Sequence, residues 1–251
     1  MNRLLEERTL LISGAAGTLG RAAASACVAA GATVVLVDKN LRGLERLYDE
    51  IMAADASATV LLYPLDLEGA SEADFAELAE RVEAELGGLH GILHAANDAG
   101  VLGPIVDLGA REVERALKVN CSAPLQLTRA VLPLLNRTGD ASIVFVSDTA
   151  ARAGKAYWGA YGISKMAMEG LATILAEETA AAGKVRIHTF LPGPYRSPVY
   201  LRAFPGSGRT DLPEAGQLCP KLIELLAAAG TSLASGRPIP NVDTTGQVHV
   251  R

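Results

Sequence analysis

Short apolar runs rich in valine, leucine and isoleucine alternate along this chain with longer segments of helical period. This rhythm is typical of an α/β fold, in which crossover helices join the strands of a parallel sheet. Most of the runs lack polar alternation, as expected for strands covered on both faces. The sequence predicts a doubly wound parallel sheet of about seven strands with helices on both faces. The predicted strands are Leu10–Ser13, Thr33–Val37, Val60–Tyr63, Ile92–His94, Ser142–Val146, Arg186–Phe190 and a short seventh around Ile239–Val242.

The segments between these runs predict six helices. No interior stretch is rich enough in proline, glycine and serine to separate two domains, and an apolar fraction of 49% supplies a large core. We therefore expect a single domain over residues 1–251. Residues 194–217 form a long irregular stretch after the sixth strand, where doubly wound sheets bind ligands, and we expect a substrate loop there. The predicted helices are Leu19–Ala30, Leu41–Ala54, Glu72–Leu86, Arg111–Leu135, Tyr161–Ala181 and Lys221–Ala228.

Composition and charge exclude several classes of partner. The formal net charge is −5 and the isoelectric point is about 5.5, so no surface for nucleic acid is expected. No window reaches the roughly 18 apolar residues of a membrane span, and the first residues lack a signal-peptide core, which predicts a cytoplasmic protein. The three cysteines and four histidines are scattered, so neither a disulfide framework nor a metal site is expected.

A glycine-rich turn follows the first predicted strand directly. Gly14, Gly17 and Gly20 lie in the sequence Gly-Ala-Ala-Gly-Thr-Leu-Gly, and a helix begins within it at Thr18 and Leu19. Glycine permits a tight turn and lets backbone N–H groups approach a pyrophosphate, whose charge then meets the positive end of the helix. The order of strand, glycine turn and helix therefore predicts a dinucleotide site.

Asp38 closes the second predicted strand, close to the spacing of about 20 residues from the glycine turn at which an acidic residue meets the adenosine ribose. A carboxylate there accepts hydrogen bonds from both ribose hydroxyls, whereas it would repel a 2′-phosphate. The sequence thus favours NAD over NADP as the cofactor, and the neighbouring Lys39 softens this preference.

A tyrosine and a lysine follow the fifth predicted strand four residues apart, at Tyr161 and Lys165. On a helix this spacing places both side chains on one face, about one turn from each other. A nearby cation favours the phenolate and should lower the pKa of Tyr161, which would let the tyrosine act as general acid or base.

Together, the glycine turn, Asp38 and the tyrosine–lysine pair resemble the short-chain dehydrogenase/reductase family over nearly the whole chain. The resemblance implies a Rossmann-type sheet, a homodimer or homotetramer, and an oxidoreductase that transfers a hydride between a nicotinamide cofactor and a small alcohol or carbonyl substrate. It implies that Tyr161 is the acid/base and that Lys165 binds the nicotinamide ribose. The segment Trp158–Gly170 and the later LPGPYRSP most resemble a bacterial subgroup of oxidoreductases of undefined substrate.

The resemblance adds further site residues, most of which follow a predicted strand. The usual Asn-Ala-Gly after the fourth strand is replaced by Ala-Ala-Asn, which leaves Asn97 as a turn residue there. The added residues are Asp66 and Leu67 near the adenine, Asn97, Asn120 in a proton relay, and Pro192, Gly193 and Ser197 at the nicotinamide carboxamide.

The sequence departs from the family at Asp148, where a catalytic serine is usual. Neighbours at a strand end point in opposite directions, so neither Ser147 nor Thr149 is expected to replace that serine. A hydroxyl can donate to a substrate carbonyl, whereas an ionised carboxylate can only accept. Three interpretations follow: an active enzyme whose substrate carries its own hydroxyl or amine donor, a weakened enzyme, or a cofactor-binding scaffold or sensor without turnover.

The glycine turn also departs from the family, because its spacing is Gly-x-x-Gly-x-x-Gly. This spacing resembles that of the longer nucleotide-sugar epimerases and dehydratases, which share the tyrosine–lysine pair. A chain of 251 residues has no room for their separate substrate domain. We therefore favour a dehydrogenase over an epimerase.

Overall fold

The computed structural model describes residues 3–227 and 238–240 and contains one seven-stranded sheet. Its strands are β1 (Thr9–Ser13), β2 (Thr33–Asp38), β3 (Val60–Pro64), β4 (Gly91–His94), β5 (Ala141–Val146), β6 (Val185–Leu191) and β7 (Pro238–Pro240). All neighbouring strands are parallel, in the order β3-β2-β1-β4-β5-β6-β7. The predicted doubly wound sheet is confirmed, and the strand order reverses between β1 and β4.

The helices of the described residues cover both faces of the sheet. They are α1 (Thr18–Ala29), α2 (Leu41–Ala54), α3 (Glu72–Leu86), α4 (Ala110–Leu117), α5 (Ala123–Thr138), α6 (Thr149–Arg152), α7 (Gly159–Ala180), α8 (Pro198–Ala203) and α9 (Cys219–Leu226). Two predicted bounds, Ala228 of the last helix and Val242 of the seventh strand, lie outside the described residues.

Alternate residues of the central strand β1 pack into two separate cores. Leu10 and Ile12 belong to one apolar cluster with buried side chains of α1 and α9. Leu11 points to the other face and joins a second cluster with buried side chains of α3, α5 and α7. Because both faces are covered, every residue of β1 is buried, which explains why its sequence shows no polar alternation.

The predicted helix Arg111–Leu135 lies within a continuous helical stretch, but the prediction missed a π-helical turn at Lys118–Ser122, which separates α4 from α5. Pro124 lies in the first turn of α5 and has no N–H, so it cannot continue the hydrogen-bond ladder from α4. The apolar period continues through this region of the sequence, and so the interruption is not visible in the pattern.

The expectation that residues 194–217 are irregular was also wrong in part, because this segment contains α8 and the start of a 3₁₀ turn at Ala215–Leu218. Ser197 caps α8 by accepting a hydrogen bond from the backbone of Tyr200 (3.2 Å), and Pro198 occupies its first turn. The Arg196 guanidinium also pairs with Glu214 at 2.7 Å. The segment is therefore folded, and its two ends are held to each other by this ion pair.

No helix in the described part of the chain is long and apolar enough to span a membrane. Within the same residues, no group of three or more histidine, cysteine, aspartate or glutamate side chains is arranged to hold a metal ion.

Candidate active site

A cleft of about 640 Å³ opens at the carboxyl ends of the strands, at the point where the strand order reverses. Parallel sheets of this type bind their ligands at such a point, and the volume is within the range of cofactor and substrate pockets. Most of the sequence-predicted site residues line this one cleft. They are Gly14, Gly17, Thr18, Leu19, Gly20, Asp38, Asp66, Leu67, Asn97, Asp148, Tyr161, Lys165, Pro192 and Ser197.

The glycine turn forms one end of the cleft. Its backbone is packed too closely against neighbouring backbone to accommodate side chains. Gly14 has a φ of +71°, and a Cβ there would lie 2.5 Å from backbone atoms of Ala96. A Cβ on Gly20 would fall on the carbonyl oxygen of Gly14. Gly17 precedes α1 without a side-chain cap, and no acidic residue occupies the first turn of the helix. This N-terminus therefore suits a phosphate group.

Asp38 lies beside this turn and is held by the backbone. One carboxylate oxygen accepts a hydrogen bond from the N–H of Ala16 (3.0 Å), and the other accepts one from Asn40 (2.9 Å). Each oxygen keeps a lone pair for a further donor. The ammonium of Lys39 lies 3.8 Å from the carboxylate of Asp66 across the same part of the cleft. This end of the cleft therefore combines two carboxylates and one cation.

Tyr161 and Asp148 face each other at the opposite end of the cleft. The hydroxyl of Tyr161 donates to Oδ2 of Asp148 over 3.3 Å. Oδ1 of Asp148 accepts hydrogen bonds from the backbone N–H of Ala150 (2.7 Å) and Ala151 (3.4 Å), so that Asp148 also caps α6. The short helix α6 thus fixes the carboxylate that replaces the family serine.

The pKa of Tyr161 is raised well above its ordinary value, first by burial and then by the charge and hydrogen bond of Asp148. The expectation that a nearby cation lowers this pKa was therefore wrong for this arrangement. Tyr161 is only 4% exposed, and the carboxylate of Asp148 beside it disfavours the phenolate. The phenol is consequently protonated at neutral pH.

Lys165 lies one helical turn from Tyr161, with its Nζ 5.7 Å from the centre of the tyrosine ring. Its ammonium donates to the carbonyl oxygen of Val146 at 2.8 Å. Burial lowers the pKa of Lys165 to about 8, and the charges of Asp148 and Glu169 oppose this effect. The pair predicted from the sequence spacing is brought together at the cleft.

The neighbours of Asp148 do not reach the cleft with a free hydroxyl. Ser147 donates its hydroxyl to a carboxylate oxygen of Glu169 at 2.6 Å, and Thr149 is exposed at the start of α6. Asp148 is therefore the side chain that occupies the position beside Tyr161.

Asn120 lies outside the residues that line the cleft and is 1% exposed. Its side chain bonds the backbone N–H and carbonyl of Asp98, both at 2.7 Å, and the hydroxyl of Ser164 at 2.8 Å. Ser164 belongs to α7, the helix that carries Tyr161. The side chain of Asn120 thus links Asp98, which lines the cleft, to the helix α7 that carries Tyr161.

Pro192 lines the cleft, whereas Gly193, like Asn120, does not. The φ of Gly193 is +70°, which places it at a turn. Ser197 lines the cleft, although its hydroxyl already serves as the cap of α8. These two positions therefore shape the backbone after β6.

Several residues at the end of the cleft near Tyr161 were not identified from the sequence. Ala99 and Trp158 pack with Tyr161 in a small apolar cluster, and Val199 of α8 lies against it. In the predicted substrate loop, Tyr195 lines the cleft, whereas Leu201 is 52% exposed. The helical period of α8 could have indicated that Val199 faces the cleft and Leu201 does not, because it places these two residues on different faces.

The model of the short chain dehydrogenase family matches residues 8–204. The chain is 31% identical over 223 residues to an uncharacterized oxidoreductase, YciK, of Escherichia coli K12, covering 89% of this chain and 87% of that protein. A solved structure from Pseudomonas syringae described as a short chain dehydrogenase is 38% identical, with a TM-score of 0.91 and 96% coverage of both chains. Another, from Escherichia coli CFT073 in complex with NADPH, is 30% identical, with a TM-score of 0.90 and coverage of 96% and 98%.

Proposed function

The chain belongs to the short-chain dehydrogenase/reductase family, and we propose that it transfers a hydride between a nicotinamide cofactor and an alcohol or carbonyl substrate. When bound, the dinucleotide supplies the hydride donor or acceptor at its nicotinamide ring. The observation that carries the proposal is the position of the Tyr161 hydroxyl, which faces the same cleft as the glycine turn and Lys165.

In the proposed reaction, each residue of the chain has a separate task. The glycine turn and the start of α1 bind the pyrophosphate, and Asp38 binds the adenosine ribose. Lys165 donates to the nicotinamide ribose. Tyr161 gives its proton to the substrate oxygen as a general acid, because the phenol is protonated at neutral pH, whereas its raised pKa disfavours the phenolate that alcohol oxidation would require as a base. The site is thereby better suited to carbonyl reduction than to alcohol oxidation.

Replacing Tyr161 by phenylalanine tests this role. Removal of a general acid costs roughly 10²- to 10⁴-fold in rate, so Tyr161→Phe should lower the turnover of carbonyl compounds by that factor while the affinity for the cofactor stays unchanged. The readouts are absorbance of the reduced nicotinamide and a cofactor titration. Tyr157→Phe is the matched control, because Tyr157 is 67% exposed and outside the cleft. Unchanged turnover in Tyr161→Phe would rule out the proposed role.

NAD is the proposed cofactor, because the carboxylate of Asp38 would lie against the 2′-phosphate of NADP. The similar protein from Escherichia coli CFT073 holds NADPH, and Lys39 in this chain offers a cation nearby, so the two cofactors must be compared directly. Asp38→Asn keeps one acceptor oxygen and removes the charge. It should shift the ratio of kcat/KM for NAD over NADP by roughly tenfold towards NADP. An unchanged ratio would remove Asp38 from cofactor selection.

A second candidate function is a dinucleotide-binding scaffold or sensor without turnover. The hydrogen bond from Tyr161 to Asp148 favours it, because it engages the proton that the reaction requires. One assay distinguishes the two functions. A sensor would bind the reduced cofactor without oxidising it in the presence of any member of a panel of carbonyl compounds, whereas an enzyme would oxidise it.

We also propose that the protein forms a homodimer or homotetramer through α5 and α7. Leu125 of α5 and Ile163, Met166 and Ile174 of α7 are large apolar side chains that are 41–60% exposed. Exposed apolar side chains on two long helices are suited to a symmetric interface. Light scattering of the purified protein, with Ile174→Glu as the disrupting variant, measures the assembly.

A further inference from the structure

The carboxylate of Asp148 has a limited set of hydrogen-bond donors. Its Oδ1 is satisfied by two backbone N–H groups of α6. Its Oδ2 accepts the hydroxyl of Tyr161. The ammonium of Lys165 bonds the carbonyl of Val146, and no ion pair within the described residues joins Lys165 to Asp148. Within the described residues, the hydroxyl of Tyr161 is therefore the one hydrogen-bond donor to Oδ2.

That proton is also the one that a carbonyl substrate requires. A phenol has a single O–H, so Tyr161 cannot donate to the substrate oxygen and to Asp148 at once. When the hydroxyl turns to the substrate, Oδ2 loses its donor and faces the lone pairs of the carbonyl oxygen. A plain ketone thus brings no hydrogen-bond donor to Oδ2 in place of the Tyr161 hydroxyl, and a partly buried carboxylate favours a ligand that does.

We propose that this site selects carbonyl compounds with a protonated amino group on the carbon next to the carbonyl, and that Asp148 binds this ammonium. The inference rests on the hydride transfer proposed above. The ammonium replaces Tyr161 as the donor to Oδ2 in a charge-assisted hydrogen bond. It also lies near the substrate oxygen and stabilises the negative charge that develops there, as a serine hydroxyl would.

The remainder of the substrate is expected to be apolar. Beside Tyr161, the walls of the cleft include Ala99 and Val199, and Trp158 packs against the tyrosine ring with a centroid separation of 5.6 Å. Such walls suit an aliphatic or aromatic body, with the amino group as its one charged end.

The reaction balances without a further reagent. In the reduction, the reduced nicotinamide delivers a hydride that forms the new C–H bond, and it is oxidised as the carbonyl carbon is reduced. The π pair of the carbonyl moves to oxygen, which takes the proton of Tyr161 to form the O–H bond. Solvent returns a proton to Tyr161, and the ammonium keeps its own protons. The product is a 1,2-amino alcohol.

Three matched ketones test the proposal: 2-amino-1-cyclohexylethanone, 2-hydroxy-1-cyclohexylethanone and 1-cyclohexylpropan-1-one. They differ only in the substituent on the carbon next to the carbonyl, which is an amino, a hydroxyl or a methyl group. Oxidation of the reduced cofactor gives kcat/KM, which should be at least roughly tenfold higher for the amino ketone than for the methyl ketone. Binding is measured separately by the fluorescence of Trp158, the one tryptophan of the chain, which packs against Tyr161.

Asp148→Asn and Asp148→Ser complete the experiment. Serine is a good helix cap, so Asp148→Ser should fold and bind the cofactor as the wild type does. Both variants should lose the preference for the amino ketone in rate and in binding. The proposal is overturned if the wild type shows no preference, or if the preference survives in both variants. If the cofactor binds but neither these ketones nor the wider panel of carbonyl compounds is reduced, the proposed function itself fails, and this inference with it.

Discussion

The properties of the site are decided at one pair of residues, Tyr161 and Asp148. Asp148 does three things at once: it caps α6, accepts the tyrosine proton and raises the pKa of Tyr161. A serine could fulfil the first of these tasks but would not place a negative charge beside the phenol. The substitution of a carboxylate for the family serine therefore changes the electrostatics of the site more than its shape.

Asp148→Ser should consequently change the pH dependence of turnover. A general acid must be protonated, so the rate of ketone reduction falls as the pH rises through the pKa of Tyr161. Asp148 raises that pKa, and its removal should move the alkaline limb of the profile of kcat to lower pH. Turnover should change strongly, and the dissociation constant of the cofactor should stay nearly the same. An identical pH profile and an identical rate in the variant would show that Asp148 takes no part in the reaction.

At the scale of the elements, the glycine turn and the π-helical turn place the two halves of the cleft. The turn at Gly14 and Gly20 brings the start of α1 against β1 with no space for a methyl group. The turn at Lys118–Ser122 directs Asn120 inward, where it contacts Ser164 of α7. The first turn acts through close packing of the backbone, and the second acts through the side-chain hydrogen bonds of Asn120.

Gly20→Ala tests the first of these turns. Because its Cβ would overlap the carbonyl of Gly14, the turn must open, at a cost of about 1–3 kcal/mol. We expect a lower Tm together with much weaker cofactor binding, measured by thermal unfolding and by titration. Gly69→Ala is the matched control, because a Cβ at Gly69 meets no atom within 4 Å. Equal behaviour of the two variants would contradict the role of close packing at the turn.

At the scale of the whole molecule, the two cores on either side of the sheet enclose a few polar groups. His94 ends β4, is 2% exposed, and stacks on Phe145 with ring centres 4.7 Å apart. Burial lowers the pKa of His94 to about 3, and the charge of Lys165 adds to this effect. His188 of β6 is similarly buried, and its pKa is lowered to about 4. Both histidines are therefore uncharged in the folded protein at neutral pH.

These histidines should make the fold sensitive to acid. Below a pH of about 6.5 the unfolded chain binds protons at these sites and the folded chain does not, so the free energy of unfolding falls as the pH falls. The loss is up to about 1.4 kcal/mol per pH unit for each histidine, until its folded pKa is reached. Urea unfolding between pH 7 and 5 should show this slope, and His94→Gln should reduce it. An equal slope in the variant would locate the acid sensitivity elsewhere.

The local pattern of the sequence was sufficient for the sheet, the glycine turn and the tyrosine–lysine pair. Each depends on short-range rules: strand burial gives unbroken apolar runs, glycine marks close backbone, and a spacing of four residues on α7 puts Tyr161 and Lys165 on one face. Parallel strands then bring their carboxyl ends to one edge of the sheet. For this reason most of the predicted residues line one cleft.

Tertiary structure alone decided how those residues interact. The inward direction of Asn120 depends on a π-helical turn that leaves the apolar period unchanged. The apolar wall beside Tyr161 depends on which face of α8 meets Trp158. The pKa of Tyr161 is raised by burial, by the charge and hydrogen bond of Asp148 and by the nearby Tyr195, and these effects depend on distances in three dimensions. Sequence spacing fixed which groups meet, whereas packing fixed which of them holds the proton.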